Sequence, residues 1–188
     1  MNIANILTLS RIVLAAVIVW LLLLNSLNAN IMATVLFIVA ALTDFYDGHL
    51  AKKQGLISDF GKIMDPIADK VLLLSMFWVF AVLGMIEGWM VVVIAVREIG
   101  VTADRLWMMQ RGQVLAAEKA GKIKTVCQIT AVSVILLYLI VDQSAWAMNW
   151  FYQIQQAWHG VINALMFATL CVTIYSGVAY VKSRWNLN

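Results

Sequence analysis

Residues 44–70 read DFYDGHLAKKQGLISDFGKIMDPIADK, and this polar segment decides how the apolar remainder of the chain is to be understood. Asp44 and Asp47 stand three apart, and Asp65 and Asp69 stand four apart. On helices, each spacing turns both carboxylates to one face. Two helices meeting through those faces make a nest of four anionic groups, too repulsive to stay ionised without cations. The expectation is a divalent-metal site at a membrane surface, working on a phosphate-containing substrate.

The rest of the chain is close to hydrocarbon. Of its 188 residues 63% are hydrophobic and 12% charged, with a single proline, Pro66. Soluble domains carry about 45–50% apolar and about 25% charged residues, so this chain lacks the polar surface to cover a water-facing exterior. Six apolar runs approach the ~20 residues needed to span a bilayer. They are Ile6–Leu24, Ile31–Ala51, Ile63–Leu83, Trp89–Met109, Ile123–Val141 and Trp158–Val181. The first contains Arg11, so Met1 to Ser10 reads as a surface-lying amphipathic lead-in, with the span proper after Arg11. No linker, low-complexity tract or repeat divides the chain. The expected fold is therefore all-α: one integral membrane domain, 1–188, built as a bundle of six transmembrane helices with an N-terminal amphipathic surface helix.

Orientation follows from the basic residues. Arg11, Lys52, Lys53, Lys62, Arg111, Lys119, Lys122, Lys124, Lys182 and Arg184 fall at or between span ends of one side, while the loops Asn25–Asn30, Gly84–Gly88 and Asp142–Ala157 contain no Lys or Arg. The positive-inside rule then puts both termini and the Asp-rich segment in the cytoplasm. Trp89, Trp146, Trp150 and Trp158 cluster at the opposite ends, as interfacial aromatics do. The net charge of +3 is small, but its segregation gives a face that attracts anionic headgroups and phosphorylated metabolites. Nucleic acid is excluded as a partner, because the basic residues abut spans and form no soluble basic surface. Cys127 and Cys171 lie inside apolar runs and read as simple core or lipid-facing residues. The N-terminus has no basic stretch before its apolar run and reads as a retained span, not a removed signal.

Several residues carry chemical potential beyond the four aspartates. Asn5, Thr8 and Arg11 recur every three residues and share a helix face; amide, hydroxyl and guanidinium all suit phosphate oxygens. Gly48 and Gly61 remove side chains where a large ligand would approach the backbone. Pro66 suits a helix start, where its missing N–H costs little. Carboxylates with open positions suit Mg²⁺ or Mn²⁺, which accept phosphate as a further ligand. His49 reads as a mere neighbour of the site and His159, at the outer end of the last run, as structural. Arg97 lies about two turns inside its span, where a cation needs an anionic partner. With Arg105, Lys122 and Lys124 it forms a candidate pocket for a phosphorylated acceptor.

The order Asp44, two residues, Asp47-Gly48, two residues, Ala51-Lys52, eight residues, Gly61, three residues, Asp65, three residues, Asp69 resembles the signature of the CDP-alcohol phosphotransferases. That pattern is written D-x-x-D-G-x-x-A-R, eight residues, G-x-x-x-D-x-x-x-D, and every position matches except Lys52, where the family has arginine. The substitution keeps the charge and loses the planar bidentate fork. The stretches from Arg97 to Arg105 (R-E-x-x-V-T-x-x-R) and from Gly121 to Thr125 (G-K-x-K-T) look like the phosphatidylglycerophosphate synthase branch of that family. So does N-x-x-T-x-x-R from Asn5 to Arg11, although Ala4 stands where a proline usually precedes it.

The resemblance implies an enzyme of a bacterial plasma (inner) membrane that transfers the phosphatidyl group of CDP-diacylglycerol to sn-glycerol 3-phosphate and releases CMP. It implies that Asp44, Asp47, Asp65 and Asp69 hold two Mg²⁺ or Mn²⁺ ions and that Asp69 is also the general base. It implies that Asn5, Thr8, Arg11, Gly48, Ala51, Lys52 and Gly61 serve CDP-diacylglycerol, with membrane lipid as surroundings and a homodimer as the assembly. The rivals are the same chemistry with inositol phosphate or serine, a membrane prenyltransferase, and a cation transporter whose path the carboxylates would line.

Overall fold

The computed structural model describes residues 3–54, 59–111, 119–144 and 150–185; within them, the side chains of 3–8, 44–54, 59–66, 69, 119–120 and 150–156 lie outside the description. Among the described residues there are six helices and no strand: α1 (Ile3–Leu23), α2 (Leu27–Gln54), α3 (Asp59–Val82), α4 (Gly88–Gln110), α5 (Lys119–Gln143) and α6 (Trp150–Trp185). Each of the six apolar runs falls on one helix, and only Leu24 and Leu83 project one residue beyond an end. The segments Gly121–Gln143 of α5 and Ala157–Trp185 of α6 are long and apolar enough to cross a membrane. Leu9–Leu23, Leu27–Thr43 and Lys70–Val82 are shorter apolar helices. On α4 the apolar side chains of Val92, Val96 and Ile99 are exposed while Met90, Val91, Ile94 and Glu98 are buried. A contiguous exposed apolar face of this kind is a liability in water and suits a lipid surrounding.

The chain divides into two compact units. The first comprises Met1–Val79 with Leu136–Ala147. In it α1 and α2 pack along one another. Ala15, Ile18 and Leu22 recur at helical spacing on α1, as do Ala29, Ala33, Phe37 and Ala40 on α2, and all are buried. The alanines keep the two backbones close, as small residues do between membrane helices. The backbone of α1 runs unbroken through Arg11, which is only 5% exposed. The expected boundary between a lead-in and a span is therefore not a break in the helix.

The α1–α2 turn is closed by Asn25 in the left-handed region, φ 47°, a conformation asparagine tolerates better than other side chains. Gln143, at the end of α5, clamps this turn. Its Nε2 donates to Asn25 Oδ1 at 2.5 Å and to the Asn25 carbonyl at 3.1 Å, and its Oε1 accepts from Asn30 Nδ2 at 3.0 Å. Asn30 is 1% exposed, so without this clamp a buried amide loses its partner.

The second unit comprises Phe80–Ile135 and Met148–Asn188. The chain leaves α3 through a helix-ending motif in which the Met85 amide donates to the Phe80 carbonyl at 2.9 Å and the Gly84 amide to the Ala81 carbonyl at 3.0 Å. That motif requires a left-handed residue, and Gly84 provides it at φ 72°. The α4 and α6 helices then pack together. Their buried side chains include Ile94 on α4 and Ile162, Met166 and Leu170 on α6, with Ala131, Val132 and Ile135 buried on α5. Both cysteines are free thiols.

Gln143→Ala is expected to lower the stability of the protein in detergent by about 1–3 kcal/mol, because it strands a buried amide, whereas Asn30→Leu with Gln143→Leu recovers most of the loss. Thermal unfolding checks both; an unmoved midpoint for the single variant would mean the clamp contributes no stability.

Candidate active site

The residues of the signature are divided between two consecutive helices of the first unit. Asp44, Asp47, Gly48, Ala51 and Lys52 lie on the last turns of α2, and Gly61, Asp65 and Asp69 on the first half of α3. At ~1.5 Å per residue the two carboxylate pairs occupy about one turn each. The side chains of these residues, and of Asn5, Thr8 and His49, are outside the described set, so the structure provides their helical register and nothing of their contacts. Among the described residues no group of three or more His, Cys, Asp or Glu is arranged to hold a metal. Carboxylates are all-oxygen donors, the kind that suits Mg²⁺ or Mn²⁺.

Pro66 differs from its expected position. It was placed near a helix start, but α3 begins at Asp59, so Pro66 sits beyond the first turn. Lacking an N–H, it leaves the Lys62 carbonyl without its usual i+4 donor. The helix starts earlier because Asp59 to Met64 contains no breaker stronger than Gly61.

The candidate acceptor residues all belong to the second unit. Glu98 is their meeting point. It lies on α4, is 2% exposed, and its Oε1 accepts from Lys124 Nζ at 2.5 Å, Gln128 Nε2 at 3.2 Å and Arg97 Nη1 at 3.3 Å. Lys124 and Gln128 are four apart on α5 and so reach the same acceptor from one face. Arg97 is held from α6 as well, where Nη2 donates to Ser176 Oγ at 2.5 Å. Its stem lies on Gly177, where an added Cβ would stand 3.3 Å from Arg97 Cγ. The Arg97 side chain is the most open of the three, at 14% against 4% for Lys124. Arg97 also lines a cavity of about 770 Å³ beside α4 and α6, walled by valines with Lys182 and Trp185.

The other two basic residues are placed differently. Arg105 is exposed, with its guanidinium 5.8 Å from the centroid of the Tyr180 ring. Lys122, two residues from Lys124 on α5, is exposed, as opposite helix faces dictate. Beside Arg105, Asp104 accepts from Tyr180 Oη at 2.9 Å and pairs with Arg184 at 2.6 Å. Arg111 stacks on Trp107 at 3.7 Å, a cation–π contact. Of the four expected acceptor residues, Arg97 and Lys124 therefore share a common partner. In the sequence Glu98 stands out only as part of the R-E-x-x-V-T-x-x-R stretch, and nothing there singles out Gln128 or Ser176. The available signal was a set of polar residues at three- and four-residue spacing inside apolar runs: Lys124 and Gln128 on α5, and Thr169, Thr173 and Ser176 on α6.

Comparison with known proteins agrees with the signature. Residues 1–178 match the family model of the CDP-alcohol phosphatidyltransferases. A Bacillus subtilis (strain 168) protein, CDP-diacylglycerol–glycerol-3-phosphate 3-phosphatidyltransferase, is 44% identical over 110 residues, covering 58% of this chain and 57% of the relative. A probable phosphatidylglycerophosphate synthase of Mycobacterium tuberculosis (strain H37Rv) is 35% identical over 183 residues, 96% of this chain and 80% of the relative. A Rickettsia typhi CDP-diacylglycerol–glycerol-3-phosphate 3-phosphatidyltransferase is 32% identical over 136 residues, 72% of this chain and 76% of the relative. The aligned region thus spans just over half of the Bacillus relative and about three quarters or more of the other two. With the family model covering nearly the whole chain and the carboxylate spacing intact on α2 and α3, this protein belongs to the CDP-alcohol phosphatidyltransferase family.

Proposed function

We propose that this protein transfers the phosphatidyl group of CDP-diacylglycerol to sn-glycerol 3-phosphate, giving phosphatidylglycerophosphate and CMP. The observation that carries the reading is the unbroken spacing from Asp44 to Asp69, set on consecutive helices in a chain of this family. The names of the bacterial relatives support glycerol 3-phosphate as the acceptor.

Asp44, Asp47, Asp65 and Asp69 are the residues that would hold two Mg²⁺ or Mn²⁺ ions. Such ions neutralise the diphosphate and stabilise the leaving CMP. Asp69 accepts the proton of the primary hydroxyl as its oxygen bonds to the phosphorus attached to diacylglycerol. The bond from that phosphorus to the CMP oxygen breaks, and CMP leaves with the electron pair. Gly48, Ala51 and Gly61 leave room for the nucleotide, and Lys52, Asn5, Thr8 and Arg11 provide donors for its phosphates. Arg97, Arg105, Lys122 and Lys124 provide the positive charge that favours a phosphorylated acceptor over serine. In this reading residues 1–188 form one membrane domain with six spans. The first turns of α1, through Ser10, lie at the surface, and the aspartates and both termini face the cytoplasm of a bacterial inner membrane. A homodimer is the proposed assembly.

Purified protein given CDP-diacylglycerol, glycerol 3-phosphate and Mg²⁺ or Mn²⁺ is expected to release CMP, and to stop on addition of EDTA until metal is restored. Release only with serine or inositol phosphate would reassign the acceptor, and ion transport without CMP would sink the enzyme reading. Asp69→Asn should lower kcat by about 10²- to 10⁴-fold, the usual worth of a general base; wild-type turnover in this variant removes Asp69 from that role. Arg105→Ala should raise the KM for glycerol 3-phosphate more than the KM for CDP-diacylglycerol, and the reverse order would refute its place in the acceptor set.

A further inference from the structure

Two cations proposed to serve one acceptor phosphate have to be kept side by side before the phosphate arrives, and like charges at short range repel. Arg97 and Lys124 are in that situation, and what lies between them is one oxygen of Glu98. We propose that Glu98 is a positioning residue for the acceptor: a buried carboxylate that fixes Arg97 and Lys124 relative to one another without itself touching substrate. The proposal rests on the acceptor reading above.

Three features of the geometry support it. The first is convergence, since Oε1 takes donors from Lys124, Gln128 and Arg97, which come from two helices. Gln128 is buried and neutral, so it orients the carboxylate and adds no charge. The second is how Arg97 is held. Glu98 engages one terminal nitrogen and Ser176 the other, 3.3 and 2.5 Å away, while Gly177 gives the stem a slot against α6. A guanidinium held at both terminal nitrogens has a set plane, which a flexible side chain lacks. The third is the difference in access. The Arg97 side chain is 14% exposed and that of Lys124 4%, so of the two cations Arg97 is the more accessible and both are set in place by the same carboxylate oxygen. Loss of either partner leaves an unbalanced buried charge, which is costly.

The test uses detergent-purified full-length protein and compares Glu98→Gln, Glu98→Asp and the double variant Glu98→Leu/Lys124→Leu. CMP release is followed with glycerol 3-phosphate and CDP-diacylglycerol varied separately. Glu98→Gln keeps the shape and removes the charge, and is expected to raise the KM for glycerol 3-phosphate about 10- to 100-fold, the worth of one hydrogen bond to a charged group. The KM for CDP-diacylglycerol stays within about twofold on the same grounds, as the donor is not held by this cluster. Glu98→Asp recovers part of the loss. The double variant removes both buried charges, so its unfolding temperature returns toward wild type while the raised KM for glycerol 3-phosphate remains. An unchanged acceptor KM in Glu98→Gln overturns the proposal, as do equal rises in both KM values. So does a double variant that regains the wild-type acceptor KM, since Glu98 would then be merely structural. If Glu98→Gln does not fold, Glu98→Asp decides by the same comparison: an unchanged acceptor KM, or equal rises in both KM values, overturns the proposal. Wild-type protein that releases CMP with no acceptor, or only with unphosphorylated ones, refutes the functional reading itself, a failure separate from the behaviour of Glu98.

Discussion

Hydrocarbon offers no partner to a backbone amide or to a charge, and the whole chain is shaped by that deficit. The backbone meets it by remaining helical through all four described stretches except at short turns. The charged side chains meet it by pairing. Glu98 is the clearest case, with one carboxylate oxygen surrounded by an ammonium, an amide and a guanidinium from α4 and α5, and the guanidinium tied in turn to α6. Three helices of the second unit are thus connected through polar contacts that have no alternative partner in lipid. Apolar residues of the same unit, such as Ile94, Val132 and Ile162, are buried, and such contacts are non-directional. Apolar contacts confer compactness here, and the polar cluster confers a particular register.

The candidate residues separate cleanly by chain segment. Everything assigned to the nucleotide-linked donor, from Asn5 to Asp69, belongs to the first unit, and everything assigned to the acceptor, from Arg97 to Lys124, belongs to the second. This division has a chemical sense. In the proposed reading the first set serves the CDP-linked donor and the second the alcohol, so the two tasks fall to different side chains on different helices.

Much of the fold was legible because long apolar runs announce helices. The six runs from Ile6 to Val181 correspond one to one with the helices, and the two fully described turns between helices are punctuated by Asn25 and Gly84, residues suited to left-handed backbone. The aspartate spacing was equally plain, since four carboxylates at fixed intervals in a hydrocarbon sequence have few innocent explanations. Pro66 was misplaced, because a proline signals where a helix tolerates it without saying how many turns precede it. The partners of Glu98 were invisible for a different reason. Gln128 lies 30 positions from Glu98, and Ser176, the partner of Arg97, lies 79 positions from that arginine; only packing of the second unit brings them to α4. Gln143 was unread for the same reason. Nothing about one glutamine at the end of an apolar run identifies a turn 118 residues earlier as its destination.

That last separation has a consequence for how the protein is made. The α1–α2 hairpin, with Asp44 and Asp47 near its far end, leaves the ribosome long before Gln143 does. At roughly 5–20 residues per second, the interval is about 6–24 s. Through that time the Asn30 amide, later sealed in the protein, has to be kept hydrated or sheltered by the insertion machinery, and it exchanges that host for Gln143 once α5 arrives. The N-terminal hairpin is therefore provisional during biogenesis. Truncated chains ending before α5 would lack the Gln143 side chain that closes this turn.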